Sequence, residues 1–176
     1  MKKSNNLLFA LKYRPKFFKE LFGQEVMVET ISNSISSGKI PNAYLLTGIR
    51  GVGKTTTARI IAKALNCSKG FKEGKICEEE DYCHHCKEIS QSNHIDVLEM
   101  DAASRTGIDD IRELIDSSKY KPNSAKFKIY IVDEIHMLSK QAFNGLLKTL
   151  EDPPPYLKFI FATTEANKIP LTVISR

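Results

Sequence analysis

Gly48-Ile49-Arg50-Gly51-Val52-Gly53-Lys54-Thr55 is the stretch from which the rest of the chain can be read. Its spacing, G-x-x-x-x-G-K-T, is that of a phosphate-binding loop. The glycines let the backbone curl so that successive N–H groups point inward at phosphate oxygens. The context agrees on both sides. Ala43-Tyr44-Leu45-Leu46 before it is short and apolar, as a buried strand should be. Thr56 to Leu65 after it sets Ala58, Ile61, Ala62 and Leu65 on one helical face, and the positive end of that helix adds to the same place. In such a loop Lys54 reaches the β- and γ-phosphates and the Thr55 hydroxyl ligates Mg²⁺. Gly48, Gly51, Val52, Gly53 and Thr56 complete the expected nucleotide-binding set.

Working outward, strands alternate with helices. Val97 to Met100 is a second strand, ending at Asp101. Ile129 to Val132 is β-branched and apolar throughout, which predicts burial on both faces, and Phe159 to Ala162 reads the same way. Helices are predicted over Glu25 to Ser36 with Val26, Ile31 and Ile35 buried, and over Gly107 to Ile115 with Ile108, Ile111 and Ile115 inward. A third covers Lys140 to Glu151, with Phe143, Leu146, Leu147 and Leu150 on one side. This order implies an α/β fold with a parallel sheet, and nucleotide beyond the carboxyl ends of its strands. Residues 1 to 24 form a basic arm. Its aromatics, Tyr13, Phe17, Phe18 and Phe22, are too many for a free tail, so it should pack on the body.

The third strand runs into Asp133-Glu134-Ile135-His136. Two acids after a buried strand are costly unless they are used. Asp133 fits a magnesium-shell carboxylate, and Glu134 a base that orients or polarises the attacking water. The bland alternative is a strand that turns polar at its exit. His136 reads as a packing or hydrogen-bonding histidine beside the site. Thr163 and Thr164 end the fourth strand, where a hydroxyl would lie near both Glu134 and the γ-phosphate.

Net charge is +5, from 26 basic and 21 acidic residues, with 41% hydrophobic and 27% charged residues. That fits a globular protein with a mixed surface. It is compatible with a nucleic-acid partner without arguing for one. Arg105 and Lys148 are candidates for DNA or neighbour contacts, solvated charge being the default. No apolar run nears the roughly 18 residues of a membrane span, and no signal-peptide core follows Lys2 and Lys3. A cytoplasmic protein without a membrane partner is expected.

Residues 66 to 86 interrupt the alternation. They hold Cys67, Cys77, Cys83 and Cys86. Such a cluster in a cytosolic protein points to a metal site rather than disulfides. Four thiolates suit a closed, tetrahedral Zn²⁺. His84 and His85 are possible substitutes, and free thiols are the bland alternative.

Taken together, these residues resemble the AAA+ ATPases and, more narrowly, the gamma/tau family of ATP-hydrolysing clamp-loader subunits of bacterial DNA polymerase III. The resemblance rests on Tyr13-Arg14-Pro15 with Gly23-Gln24, the Gly48 to Thr55 loop and Asp101 to Arg105. It continues through Asp133 to Leu138, Phe143 to Glu151, Ala162 to Thr164 and Ser175-Arg176. It implies a P-loop, RecA-like AAA+ domain over residues 1–176 with a zinc module inserted at 66–86, and a phosphate-loop strand flanked by later strands. By the same resemblance Tyr13, Arg14 and Gly23-Gln24 flank the adenine and Thr164 senses the γ-phosphate. Arg176 would be an arginine finger reaching ATP on the adjacent subunit. The implied partners are the other clamp-loader subunits, a sliding clamp and primer–template DNA. The family's pattern ends C-x-x-C-x-x-C, whereas here five residues, Glu78 to Tyr82, separate Cys77 from Cys83. The family continues into a helical lid and collar, so a truncated domain, monomeric in isolation, is expected. Two other readings stay open: a nucleotide-binding scaffold or switch that hydrolyses little, and another AAA+ DNA-remodelling ATPase such as a branch-migration helicase. The cysteines and the Phe143 to Glu151 helix count against the last.

Overall fold

The computed structural model describes residues 13–72, 74–104 and 108–175, with the Ile108 side chain set aside. The expectations for Arg105, Ile108 and Arg176 therefore lie outside the described residues. Helix α1 is Glu25–Ser36, strand β1 Ala43–Thr47 and helix α2 Lys54–Asn66. Then come α3 (His84–Ser90), β2 (Val97–Asp101), α4 (Ile108–Ser118) and β3 (Lys128–Asp133). Last are α5 (Lys140–Glu151), β4 (Leu157–Thr163) and the short α6 (Leu171–Ile174). No described helix is long and apolar enough to cross a membrane.

The four strands form one parallel sheet in the order β1-β4-β3-β2. Side chains on successive strand residues go to opposite faces. Ile129, Ile131, Ile160 and Ala162 therefore join a core with α1, α2 and the cysteine segment. Tyr130, Val132, Phe159 and Phe161 join a second core with α4 and α5. Both faces of the central strands are covered, which is why β3 and β4 are apolar almost throughout.

The structure departs from the sequence expectation in two places. Val26 is 80% exposed; the buried face of α1 is Met27, Val28, Ile31 and Ile35. At 100° per residue Val26 points roughly 150° away from that face. The phosphate-loop strand β1 pairs with β4 and, among the described residues, with no second strand.

One buried carboxylate ties the start of β2 to the loop before β3. Asp96 accepts the backbone N–H groups of Asn123 at 2.6 Å, Ser124 at 2.8 Å and Ala125 at 2.9 Å. Burial pushes its pKa up, but these donors outweigh burial and hold it below the ordinary 3.8. A carboxylate with a depressed folded pKa stabilises above its unfolded value and loses that contribution as pH falls through the folded one. Asp96→Asn, which presents an amide to the same donors, should lower unfolding free energy by about 2 kcal/mol at neutral pH. The difference from wild type should shrink once pH drops below 3.8, as urea titrations at both pH values would show.

Candidate functional site

All four strands finish at one edge, Thr47 level with Thr163 and Asp101 level with Asp133. The loop leaving Thr47 is shaped by its glycines. Gly53 caps α2 at φ +96°, a left-handed conformation that a β-carbon resists. A β-carbon on Gly48 would sit 3.1 Å from Val52 Cγ1. The Gly48 N–H donates to the Thr163 carbonyl at 3.3 Å, fixing the loop's start to the end of β4. Helix α2 begins at Lys54, two residues before the sequence-predicted start at Thr56. The Lys54 ammonium is buried and donates to the Gly48 and Ile49 carbonyls at 3.0 and 3.1 Å.

The other half of the site comes from β3 and β4. Thr55 Oγ1 donates to Asp133 Oδ2 at 2.5 Å, and Asp133 Oδ1 accepts the Glu134 N–H at 3.0 Å. Glu134 sits at φ +49°, rare for a residue other than glycine and the kind of strain found at functional sites. Its Oε2 accepts from Thr164 twice, from the N–H at 3.0 Å and the hydroxyl at 2.9 Å. His136 Nδ1 lies 2.9 Å from Thr163 Oγ1 and 3.3 Å from Glu134 Oε2; its Nε2 lies 3.3 Å from Glu165 Oε1. This is the hydrogen-bonding histidine that the sequence suggests.

Together these residues border a cleft of about 1300 Å³. Gly51, Val52, Gly53, Lys54, Thr55 and Thr56 form one side, and Asp133, Glu134 and Thr164 the sheet edge. Tyr13, Arg14, Pro15 and Gln24 close it from the N-terminal side. Arg14 Nε donates to Thr56 Oγ1 at 2.8 Å. Burial and then Arg59 lower the Arg14 pKa, while Glu99 and Asp133 act in the opposite sense. Asp101 and Met137 also line the cleft, and sequence reading gave neither a role. For Asp101 a signal existed, since it is an acid at the carboxyl end of a parallel strand.

The residues present fit a magnesium nucleotide. Two hard oxygen donors, Thr55 and Asp133, meet beside a phosphate-binding loop and a buried ammonium.

The cysteines converge as well. Cys67 ends α2, Cys83 caps α3, Cys86 lies in α3, and Cys77 comes from the segment between. All four sulfurs lie within 4.8 Å of one another, with Cys67 and Cys77 3.6 Å apart. Tetrahedral ligands on a metal–sulfur bond of about 2.3 Å stand about 3.8 Å apart, so the set fits a thiolate-bound metal. Burial pushes the Cys77 and Cys86 thiols up. Burial also pushes Cys83 up, but hydrogen bonds from the Cys86 and Ser68 backbone outweigh it and bring that thiol down to about 6. The histidines turn elsewhere, His84 to Glu88 at 3.3 Å and His85 to His94 at 2.8 Å.

Comparison with known proteins gives consistent results. A family model described as "DNA polymerase III, delta subunit" matches residues 23–176. DNA polymerase III subunit gamma of Buchnera aphidicola (subsp. Acyrthosiphon pisum) is 48% identical over 172 residues, 98% of this chain and 46% of that protein. Subunit tau/gamma of Haemophilus influenzae is 49% identical over 169 residues, 96% of this chain and 24% of its own length. The chain thus spans at most about half of these curated relatives. Among solved structures, a gamma subunit-related protein of Thermotoga maritima superposes with TM-score 0.58 at 24% identity, over 85% of this chain and 43% of that one. The RuvB Holliday junction branch migration motor of the same organism gives TM-score 0.62 at 22% identity, over 93% and 46%. At these identities the structural likeness establishes the fold, a P-loop α/β sheet.

Proposed function

The chain belongs to the DNA polymerase III subunit family whose model covers it from residue 23 to 176, alongside the gamma and tau subunits, and we propose that it is the ATP-binding and ATP-hydrolysing AAA+ domain of such a subunit. In this reading residues 1–176 form the nucleotide-binding domain and residues 66–86 its inserted zinc module. The domain works with the other clamp-loader subunits to open a sliding clamp and load it on primer–template DNA. The observation that carries the reading is the meeting of Thr55 and Asp133, 78 residues apart in sequence and 2.5 Å apart in space, beside the phosphate loop.

Each residue then has a chemical task. The loop N–H groups from Gly51 to Thr55 and the Lys54 ammonium bind the phosphates, Lys54 leaving the Gly48 and Ile49 carbonyls to do so. Thr55 and Asp133 would hold Mg²⁺, which neutralises charge on the β- and γ-oxygens when bound. Glu134 orients the attacking water and draws on its proton. Thr164, which donates its hydroxyl to Glu134 here, would report on the γ-phosphate. Tyr13 and Arg14, which line the cleft, would border the adenine. Arg176 would act on ATP held by a neighbouring subunit, where a planar, permanently charged donor stabilises the transferring group. Cys67, Cys77, Cys83 and Cys86 would hold Zn²⁺ as a structural ion with no open position.

Three outcomes test this. Lys54→Ala removes a charge-assisted phosphate contact and should weaken ATP binding about tenfold or more; unchanged affinity by calorimetry would contradict the site. Glu134→Gln keeps the shape but loses the base, so the assembled complex should bind ATP and fail to turn it over. Wild-type hydrolysis by that variant would remove Glu134 from the role. Elemental analysis of chain purified under reducing conditions should return about one Zn²⁺ per chain. Chelation should then deprotect residues 67–86 in hydrogen exchange before the sheet, and absence of stoichiometric metal would overturn the zinc site.

A further inference from the structure

Lys63 is a buried cation that the nucleotide site does not use. It lies on α2 and is 3% exposed. Its ammonium donates to the Lys16 carbonyl at 2.6 Å and approaches Tyr82 Oη at 3.4 Å. It also lies 5.5 Å from the centroid of the Phe17 ring and 5.2 Å from that of Tyr82, close enough for both ring faces to attract it. Three parts of the molecule meet on this one atom. Lys16 and Phe17 belong to the N-terminal arm, Lys63 to the phosphate-loop helix, and Tyr82 to the cysteine segment, next to Cys83. A second contact joins arm and cysteine segment, Lys16 Nζ to Glu79 Oε1 at 2.5 Å.

The other end of the arm is the wall of the cleft. Tyr13, Arg14 and Pro15 line it, and Arg14 is held to Thr56 on the same helix. The arm is therefore pinned on one side by the cysteine segment and presented on the other to the nucleotide.

The charge on Lys63 points the same way. Its oxygen partners, the Lys16 carbonyl and the Tyr82 hydroxyl, are neutral, and among the described residues no carboxylate lies within ion-pair distance of it. A buried ammonium without counter-charge is costly. Four thiolates around a divalent ion keep a net negative charge and would supply it. We propose that Lys63 is a positioning residue that couples the cysteine cluster to the nucleotide cleft: with metal bound it holds Lys16 and Phe17, and so sets Tyr13, Arg14 and Pro15 against the nucleotide. This rests on the nucleotide and zinc sites proposed above. Because coupling free energy is reciprocal, nucleotide must also tighten the hold on the metal.

The test uses the 176-residue chain loaded with Zn²⁺. A fluorescent ATP analogue measures affinity, and a chromogenic chelator measures the rate of Zn²⁺ release with and without nucleotide. Lys63→Met keeps the apolar stem and removes the charge. It should raise the nucleotide Kd about fivefold or more while leaving metal content and circular dichroism as in wild type; Lys63→Arg should recover part of the loss. Saturating nucleotide should slow Zn²⁺ release from wild type by a similar factor, and not from Lys63→Met. Wild-type affinity in Lys63→Met, or Zn²⁺ release indifferent to nucleotide, overturns the coupling and leaves both sites standing. Should Lys63→Met fail to fold, the release rates of the wild-type chain decide alone. If wild type binds the analogue no better than Lys54→Ala, the nucleotide site itself falls, and if it carries no Zn²⁺ the metal site falls; either result takes the coupling with it.

Discussion

The hydrogen bond between Thr55 and Asp133 depends on a demanding arrangement of the chain. The two residues follow or end strands that are not neighbours, since β4 lies between β1 and β3. Two strand spacings amount to roughly 10 Å, so the phosphate loop must pass over the end of β4 to bring Thr55 across. The end of β4 is built to allow it. Thr163 is fully buried, small and polar, and its carbonyl accepts the Gly48 N–H as the loop sets out. Its hydroxyl lies 2.9 Å from His136 Nδ1 and accepts the Glu165 N–H at 3.0 Å, which fixes the residue that anchors the loop. The parallel register, the anchoring carbonyl at the end of β4 and the glycine backbone of the loop are thus parts of one constraint.

The same edge collects negative charge, which would be unfavourable if the acids lacked donors. Each acid has them. Asp133 takes the Thr55 hydroxyl on one oxygen and the Glu134 N–H on the other. Glu134 takes the Thr164 N–H and hydroxyl on a single oxygen, reached through a left-handed backbone at Glu134 itself. Asp133 is thereby aimed at the loop and Glu134 at β4. Two adjacent acids face different parts of the cleft because the backbone turns sharply between them.

How far the sequence discloses this depends on the range of the interaction. Helix α5 could be bounded at both ends because its signals are local: Ser139 caps it, accepting the Ala142 N–H at 3.2 Å, and prolines follow Asp152. The central strands are legible because burial on both faces leaves mostly apolar residues. Val26 departs from the sequence expectation because a single apolar residue near a helix end carries no information about which face is covered. The arm was harder. Its aromatics show that it packs, but Arg14 finds Thr56 across 42 residues and Lys63 finds Lys16 across 47, and no local pattern encodes either contact. The departure in cysteine spacing has a local answer. The 3-10 turn Glu79–Asp81 takes up chain between Cys77 and Cys83, so the sulfurs still converge.

The buried lysines show how structure separates a structural cation from a reactive one. Lys54, Lys63, Lys128 and Lys158 are all buried, and each donates to backbone carbonyls. Lys158 reaches Ile40 across 118 residues, Lys63 reaches Lys16 across 47, and Lys128 reaches Ser117 at the end of α4 across 11. Each of these three joins two elements, and withdrawing it would leave a carbonyl or an interface unsupported. Lys54 differs. Its partners are Gly48 and Ile49, six and five residues back in its own loop. Ile49 lines the cleft, so in the proposed reading water could replace the ammonium there were it to move to a phosphate. A cation that holds only its own loop can change partners without loosening the fold. That freedom, as much as its place in the motif, accords with the phosphate-binding role proposed for Lys54.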